Sequence, residues 1–149
     1  MAARIRRILF ASDYSPASRK AFATALSLAK ANGAALTIVH VIVPFVPIAP
    51  DQYVSAQTWN DIERDTRRVG QRELHKLTAR AKAAGVRAVG RLLEGNPAEQ
   101  IERATRAERA DLLIVGTHGR TGLARFFIGS VAGRLVATAS CPVITVRGR

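Results

Sequence analysis

Short apolar runs of strand length alternate with longer segments of helical periodicity along the 149 residues of this chain. Runs of this kind are typical of strands covered on both faces, and their regular alternation with helices favours a mostly parallel sheet with right-handed crossovers. The predicted class is therefore α/β, a doubly wound five-stranded parallel sheet with helices on both faces, formed by residues 1–149 as one domain. The predicted strands are residues 5–11, 36–43, 86–93, 111–116 and 142–146, and the predicted helices begin near 16, 58, 97 and 130.

Local signals mark the helix ends. Ser15 followed by Pro16 is typical of an N-cap and the first helical position. Gly33 is typical of the residue that ends a helix in the left-handed conformation. Asn96 and Pro97 predict another helix start. Ile62, Val69, Leu74, Leu77 and Ala81 are expected to face the core from the long second helix, and Ile128, Val131, Leu135, Val136 and Ala139 from the last one.

Two loops are richest in chemistry, and they follow the first and fourth predicted strands. Ligands of doubly wound sheets bind beyond the carboxyl ends of the strands, where the strand order reverses. Placing the first and fourth strands side by side brings both loops to that point, which predicts the order 3-2-1-4-5. Residues 44–50 contain three prolines and predict an irregular loop that acts as a lid or a contact surface.

The fourth-strand loop has glycine at positions 116, 119 and 129, followed by Ser130. Glycine lets the backbone approach a ligand closely, and a helix N-terminus offers unpaired N–H groups and a positive dipole end to an anion. The spacing therefore predicts a phosphate-binding loop, with an ordinary surface loop as the alternative. The chain contains neither a Gly-Lys pair nor a Gly-x-Gly, which excludes the Walker and dinucleotide fingerprints.

The net charge of +12 points to polyanions as one class of partner. The arginines are scattered, however, and those at 64, 67, 68 and 72 are interleaved with acids, as on a solvated, salt-bridged face. Without aromatic residues among them, no specific nucleic-acid recognition is expected. Cys141 is interpreted as a buried apolar residue, His40 as a structural strand end and His75 as a surface residue.

The hydrophobic content is 48%, and no apolar run is long enough to cross a membrane, so no membrane partner is expected. The basic start of the chain is similar to a signal peptide, but residues 8–11 are too short an apolar run and Asp13 follows. A cytoplasmic location is therefore expected. None of the three histidines has metal-ligand spacing, and no metal site is predicted.

On these motifs the chain resembles the ATP-binding subgroup of the universal stress protein family. Gly116, Gly119, Gly129 and Ser130 match that subgroup's Gly-x2-Gly-x9-Gly-Ser/Thr motif in full. The tail 139–146, Asp13 with Ser15, His40 with Val41, and residues 94–97 are similar to the family as well. The resemblance implies an adenine nucleotide alpha-hydrolase-like fold.

The resemblance also implies an ATP site. Asp13 and Val41 would contact the adenine, the glycine-loop main chain would hold ribose and phosphate, and Mg²⁺ would be held through the phosphates. One departure is Ala11, where relatives often carry proline. From the residues alone, Asp13 is equally an Asx-turn residue that organises its own loop. The implied nucleotide-binding residues are Ala11, Ser12, Asp13, Val41, Gly116, Thr117, His118, Gly119, Arg120, Gly129, Ser130 and Val131.

The leading functional hypothesis is an ATP-binding, cytoplasmic stress-response or signalling module that forms a homodimer through its C-terminal edge strand. A catalytic residue is not assigned, because no carboxylate or histidine is clearly placed beside a γ-phosphate. The first alternative is a slow ATP hydrolase or adenylyl-transferring enzyme that uses the same site. The second is a basic protein that binds nucleic acid or a membrane surface.

Overall fold

The computed structural model describes residues 3–44, 54–117 and 129–148. The strands predicted from the sequence are all present, and five parallel strands form one sheet in the predicted order β3-β2-β1-β4-β5. Most of the predicted loop at 44–50 lies outside the described residues. The elements are β1 Arg7–Ala11, α1 Pro16–Asn32, β2 Ala35–Ile42, α2 Ala56–Ala83, β3 Ala88–Glu94, α3 Pro97–Ala107, β4 Leu112–Gly116, α4 Ser130–Thr138 and β5 Val143–Val146.

Each face of the sheet is covered by a pair of helices. Side chains alternate along β1, so that Ile8 and Phe10 pack with α1 and α2 while Leu9 and Ala11 pack with α3 and α4. Phe10, Leu9 and the central residues of β2 and β4 are fully buried. This double burial explains why the strands are continuously apolar. Among the described residues, no helix combines the length and the apolar character needed to span a membrane.

The predicted helix signals act as expected. The Ser15 side chain accepts a hydrogen bond from the amide of Ser18, and the Asn96 side chain accepts one from the amide of Glu99. Gly33 adopts the left-handed conformation, with φ of 62°, that ends α1. These caps place the starts of α1 and α3 directly after β1 and β3, at the carboxyl edge of the sheet.

Some residues predicted to face the core are exposed instead. Ile62 and Val69 are 37% and 46% exposed, whereas Gly70, Leu74 and Ala81 are the buried residues of α2. A helix of 28 residues is about 42 Å long, and an eight-residue strand such as β2 only about 26 Å. The first half of α2 therefore extends beyond the strands.

Two further burial predictions need correction. Val136 of α4 is 52% exposed, because its neighbour Leu135 occupies the inward position on this nine-residue helix. Ile128 lies outside the described residues. Cys141 is half-buried rather than buried, and desolvation raises the pKa of its thiol. The predicted surface position of His75 is confirmed.

Gly116 allows the end of β4 to lie against the start of α1. A Cβ atom at this position would lie 3.0 Å from the carbonyl carbon and the Cβ of Ala17, and 3.1 Å from the amide of Ser18. Most of these neighbours are backbone atoms and cannot rotate away. The glycine is therefore required by packing, whether or not a ligand also approaches it.

Replacing Gly116 by alanine is expected to lower the free energy of unfolding by about 1–3 kcal/mol, the usual cost of forcing an extra carbon into a packed site. Thermal unfolding of the protein without nucleotide measures this as a decrease in Tm of several degrees. An unchanged Tm would show that α1 and β4 are not tightly packed here.

Asp111 links the starts of β1 and β4 at the amino-terminal edge of the sheet. Its Oδ2 accepts hydrogen bonds from the amides of Arg6 and Arg7, at 2.8 and 2.9 Å. These two bonds, Arg6 first, hold the pKa of the carboxyl group below its ordinary value of 3.8. The bonds join the segment before β4 to the start of β1.

A carboxyl group whose pKa is lowered by folding stabilises the protein above its unfolded pKa, and loses that effect as the pH falls through the lowered value. Asp111→Ala is therefore expected to lower the free energy of unfolding by about 0.5–1.5 kcal/mol at pH 7, and by less below about pH 4. Urea unfolding at pH 7 and pH 3 tests this, with Asp61→Ala, which breaks the exposed pair with Arg64, as the control. Equal losses at both pH values would contradict the assignment.

Candidate functional site

A cleft of about 720 Å³ lies at the carboxyl ends of β1, β2 and β4. This is the point where the strand order reverses, because β2 and β3 lie on one side of β1 and β4 and β5 on the other. The predicted nucleotide-binding residues that the structure describes all line it, and His118, Gly119 and Arg120 lie outside the described residues. The lining ones are Ala11, Ser12, Asp13, Val41, Gly116, Thr117, Gly129, Ser130 and Val131.

The loop after β1 is organised by Asp13. Its Oδ1 accepts hydrogen bonds from the amide of Ser15 at 2.9 Å and from the hydroxyl of Ser18 at 2.6 Å. The amide of Asp13 in turn donates to the Ser18 hydroxyl at 3.1 Å. This is the Asx-turn arrangement that the sequence left open as an alternative. The ligand role of Asp13 stays a prediction.

Tyr14 and His40 form a stacked pair at the cleft that sequence reasoning did not include in the site. Their ring centroids lie 4.1 Å apart with the planes inclined by 23°. The Tyr14 hydroxyl donates to the carbonyl of Gly70 at 2.7 Å, and His40 Nδ1 donates to the carbonyl of Ser12 at 2.7 Å. The pair ties the loop after β1 to both β2 and α2. Tyr14 has φ of 63°, unusual for a residue other than glycine.

Helix α2 supplies a wall of the cleft that was also missed. Asp65, Thr66, Val69 and Gly70 line it. Their spacing of i, i+1, i+4 and i+5 places them on one helical face. On that face the polar pair Asp65 and Thr66 interrupts the apolar pattern between Ile62 and Val69, and this interruption was the sequence signal for a cleft wall. A Cβ on Gly70 would lie 3.3 Å from Leu92 Cδ1 and 3.5 Å from His40 Cδ2. Gly70 thus lets α2 approach the sheet.

The two ends of the glycine loop meet at the mouth of the cleft. The amide of Gly129 donates to the carbonyl of Thr117 at 2.5 Å, although residues 118–128 separate them in sequence. The amide of Thr117 donates to the carbonyl of Val146 at 2.9 Å, which fixes this junction to β5. The start of α4 is thereby held beside the end of β4.

Within the described residues, helix α4 begins without a side-chain cap. Its N-cap is Gly129, and its first turn contains no acidic residue, whereas side-chain oxygens cap α1, α2 and α3. The amide of Gly133 makes the first bond along the helix, to the carbonyl of Gly129. In the described part of the chain, the amides of Ser130, Val131 and Ala132 have no acceptor, and all three residues line the cleft. Such a helix start is suited to an anion.

The cleft offers apolar side chains beside these amides. Val39 and Val41 of β2 and Ile101 of α3 line it together with Val115 of β4. Within residues 3–44, 54–117 and 129–148, no group of three or more His, Cys, Asp or Glu side chains is arranged to hold a metal ion. The site therefore combines an apolar region, suited to a flat ring, with hydrogen-bond donors suited to phosphate.

The sequence of this chain matches a known protein family along almost its whole length. Residues 4–147 match the model of the Universal stress protein family. A universal stress protein of Thermus aquaticus is 36% identical over 142 residues, which cover 95% of this chain and 98% of that protein. Another, from Methanocaldococcus jannaschii, is 33% identical over 144 residues, which cover 95% of this chain and 82% of that protein.

Solved structures share the fold. A universal stress protein family member from Burkholderia pseudomallei has a TM-score of 0.77 and 32% identity, with 98% of each chain covered. An Arabidopsis thaliana member with AMP bound has a TM-score of 0.69 and 22% identity, covering 97% of this chain and 92% of that one. A universal stress protein in complex with cAMP has a TM-score of 0.68 and 24% identity, covering 97% and 98%. By its sequence match over nearly the whole length, this chain belongs to the universal stress protein family.

Proposed function

We propose that this protein binds ATP in the cleft and acts as a nucleotide-dependent module in a stress response or in signalling. The observation that carries the proposal is the uncapped first turn of α4, whose amides at Ser130, Val131 and Ala132 border the cleft. The AMP-bound and cAMP-bound members of the fold support an adenine nucleotide as the ligand class.

The cleft suggests how the nucleotide would lie. The adenine would pack between the apolar side chains of β2 and α3, near Val41 and Asp13, and the phosphates would accept hydrogen bonds at the start of α4. The Ser130 hydroxyl is a further donor for the same phosphates. The volume of about 720 Å³ suits a ligand of this size. The glycine motif is the sole reason for including His118, Gly119 and Arg120 in the proposed site.

Mg²⁺ would be held mainly through the phosphates. The carboxylates among the described lining residues are Asp13 and Asp65. Asp13 is engaged by Ser15 and Ser18, as its hydrogen bonds show. The proposed role of ATP is therefore that of a regulator of conformation or partner choice rather than of a substrate.

The proposed module is a cytoplasmic homodimer that pairs through β5. This strand lies at one edge of the sheet, where it hydrogen-bonds to β4 on one side. Its residues are half-buried within one copy of the chain. Because exposed strand edges are commonly paired or covered, a second copy of β5 is the proposed partner.

The Ser130→Asp variant tests ligand binding independently of helix stability. A carboxylate in the first turn favours the helix dipole by about 0.3–1 kcal/mol, so the Tm without nucleotide is expected to stay the same or to rise slightly. The same carboxylate repels phosphate, so the rise in Tm caused by ATP should be lost. For the wild type, ATP at about 100 times its Kd adds about 2.7 kcal/mol of stability.

Thermal unfolding with ATP, AMP and cAMP measures these effects. Ser130→Ala is the matched control, because it removes the hydroxyl and keeps the amides, and it should retain most of the ATP response. A full ATP response in folded Ser130→Asp would show that the phosphates bind elsewhere.

A turnover assay tests the enzyme alternative. Purified wild-type protein with ATP and Mg²⁺ is expected to release phosphate or pyrophosphate no faster than Ser130→Asp, because the sequence assigns no carboxylate or histidine as the base that would activate water beside a γ-phosphate. Release well above that variant would favour the hydrolase or adenylyl-transfer function instead.

A further inference from the structure

The edge of the sheet opposite the cleft collects exposed cations. We call it the amino edge, because the strands begin there and the antiparallel helices end there. Arg4, Arg6 and Arg7 lie at the start of β1, Arg87 precedes β3 and Arg109 precedes β4, and all five are exposed. The last turns of the neighbouring helices add Lys30, Arg80, Lys82 and Arg106.

Backbone hydrogen bonds fix the arginines that lead into the strands. The carbonyl of Arg6 accepts from the amide of Ala35 at 2.9 Å, and the carbonyl of Arg87 accepts from the amide of Leu36 at 2.8 Å. The carbonyl of Arg7 accepts from the amide of Asp111 at 2.8 Å. Arg87 and Arg6 are thus placed on the two sides of the start of β2, and Arg7 beside the segment that leads into β4. With Arg109 before β4, they form a row that extends from β3 to β4 and has no arginine at β2.

The strand-leading arginines lack ion pairs. Throughout the described ranges, none of Arg4, Arg6, Arg7, Arg87 and Arg109 takes part in a salt bridge. Of the carboxylates described at this edge, that of Asp111 accepts the main-chain amides of Arg6 and Arg7, as described above. The carboxylate of Glu108, at the end of α3, pairs with Arg91 of β3. On α2, in contrast, side-chain salt bridges pair each of Arg64, Arg67 and Arg72 with an acid, as predicted for a solvated face.

Helix dipoles account for only part of this charge. Cations in the last turn of a helix interact favourably with its negative end, which explains Lys30, Arg80, Lys82 and Arg106. Arg80 also lies over the ring of Phe22, at 5.2 Å from its centroid. Arg109 directly follows the C-cap of α3, so the dipole of that helix also favours its charge. Arg4, Arg6, Arg7 and Arg87 lie outside the helices, and in the described residues no salt bridge engages them, so their charges are left for an external anion.

We propose that the amino edge binds the phosphate backbone of double-stranded nucleic acid without reading its sequence. Three strand spacings from β3 to β4 span about 15 Å, and a duplex presents one negative charge per about 1.7 Å of its axis. The arginine guanidinium matches phosphate oxygens in a bidentate manner. The row therefore meets several phosphates at once, rather than enclosing one.

The composition of this edge favours a duplex over the other polyanions. Of the described aromatic residues, Phe10 and Phe22 are buried and Tyr14 lines the cleft, while Trp59 lies in the first turn of α2, at the far edge. The amino edge thus lacks a platform for stacking the bases of a single strand. Among the described residues, the exposed large apolar side chains are Val43, Ile62, Val69, Val89 and Val136. Of these, Val89 near the start of β3 and Val136 in the last turn of α4 lie toward this edge, and they belong to separate elements. A membrane surface would require more apolar contact.

The test compares two triple variants that each remove three positive charges. Arg6→Gln/Arg87→Gln/Arg109→Gln changes the amino edge, and Arg64→Gln/Arg67→Gln/Arg72→Gln changes the ion-paired face of α2. Fluorescence anisotropy with a labelled duplex of about 25 base pairs, from 50 to 200 mM KCl, gives the affinity and its salt slope. The amino-edge variant should bind on the order of tenfold more weakly or worse, and its slope should fall by about 1 for each phosphate that is no longer neutralised. The α2 variant should keep both values.

Several outcomes would overturn the proposal. If the two triple variants weaken duplex binding equally, the duplex is attracted by the net charge of the protein and not by the amino edge. If excess ATP displaces the duplex, or if Ser130→Asp no longer binds the duplex, the duplex binds in the cleft. Binding to vesicles of phosphatidylserine and phosphatidylcholine without binding to the duplex would identify a lipid surface instead.

Two controls keep the result independent of folding and of the proposed nucleotide site. Circular dichroism checks that each variant is folded, and Arg4→Gln/Arg87→Gln provides a second amino-edge variant that keeps Arg6 and Arg109. The amino-edge variants should retain the ATP-dependent rise in Tm, so the failure of either proposal is seen separately from the other.

Discussion

The reversal of strand order between β1 and β4 is the constraint on which this site depends. Right-handed crossovers that leave in opposite directions place α1 and α2 on one face and α3 and α4 on the other. No helix can then cover the carboxyl ends of both central strands, and a cleft opens there. Gly116 brings β4 close enough to α1 for the two loops to border the same space.

Much of this arrangement could be predicted from the sequence, because the decisive signals are local. Ser15, Gly33 and Asn96 mark helix ends through bonds to residues a few positions away, and the chemistry of two loops was enough to predict the strand order. The first and fourth strands are indeed neighbours. The described residues of the glycine motif, Gly116, Gly129 and Ser130, line the cleft at the carboxyl ends of β1 and β4, as the predicted strand order implies.

What the sequence could not predict depends on contacts between distant segments. The Tyr14–His40 stack joins residues from two strands' ends, and the Tyr14 bond to Gly70 adds a third segment. The exposure of Ile62 and Val69 follows from the length of α2 relative to the sheet, which periodicity does not reveal. Similarly, the Gly129 amide bonds to Thr117 and is not available to a ligand, so the donors of the proposed site are the three amides that follow.

The two edges of the sheet differ in the way they present positive charge. At the cleft, the donors are main-chain amides at the start of one helix, which favour a small anion at a defined position. At the amino edge, the cations are long exposed side chains in a row, which favour an extended anion. The fold thus separates the proposed nucleotide site from the proposed duplex-binding surface by the length of the strands.

The central claim is that the amides at the start of α4 bind the phosphates of ATP. An amide-resolved NMR titration of isotopically labelled protein with ATP and Mg²⁺ tests it most directly. We expect the largest saturable shifts at Ser130, Val131 and Ala132, with further shifts at Asp13 and Val41. Saturable shifts confined to the amino edge, with the three α4 amides unmoved, would contradict it.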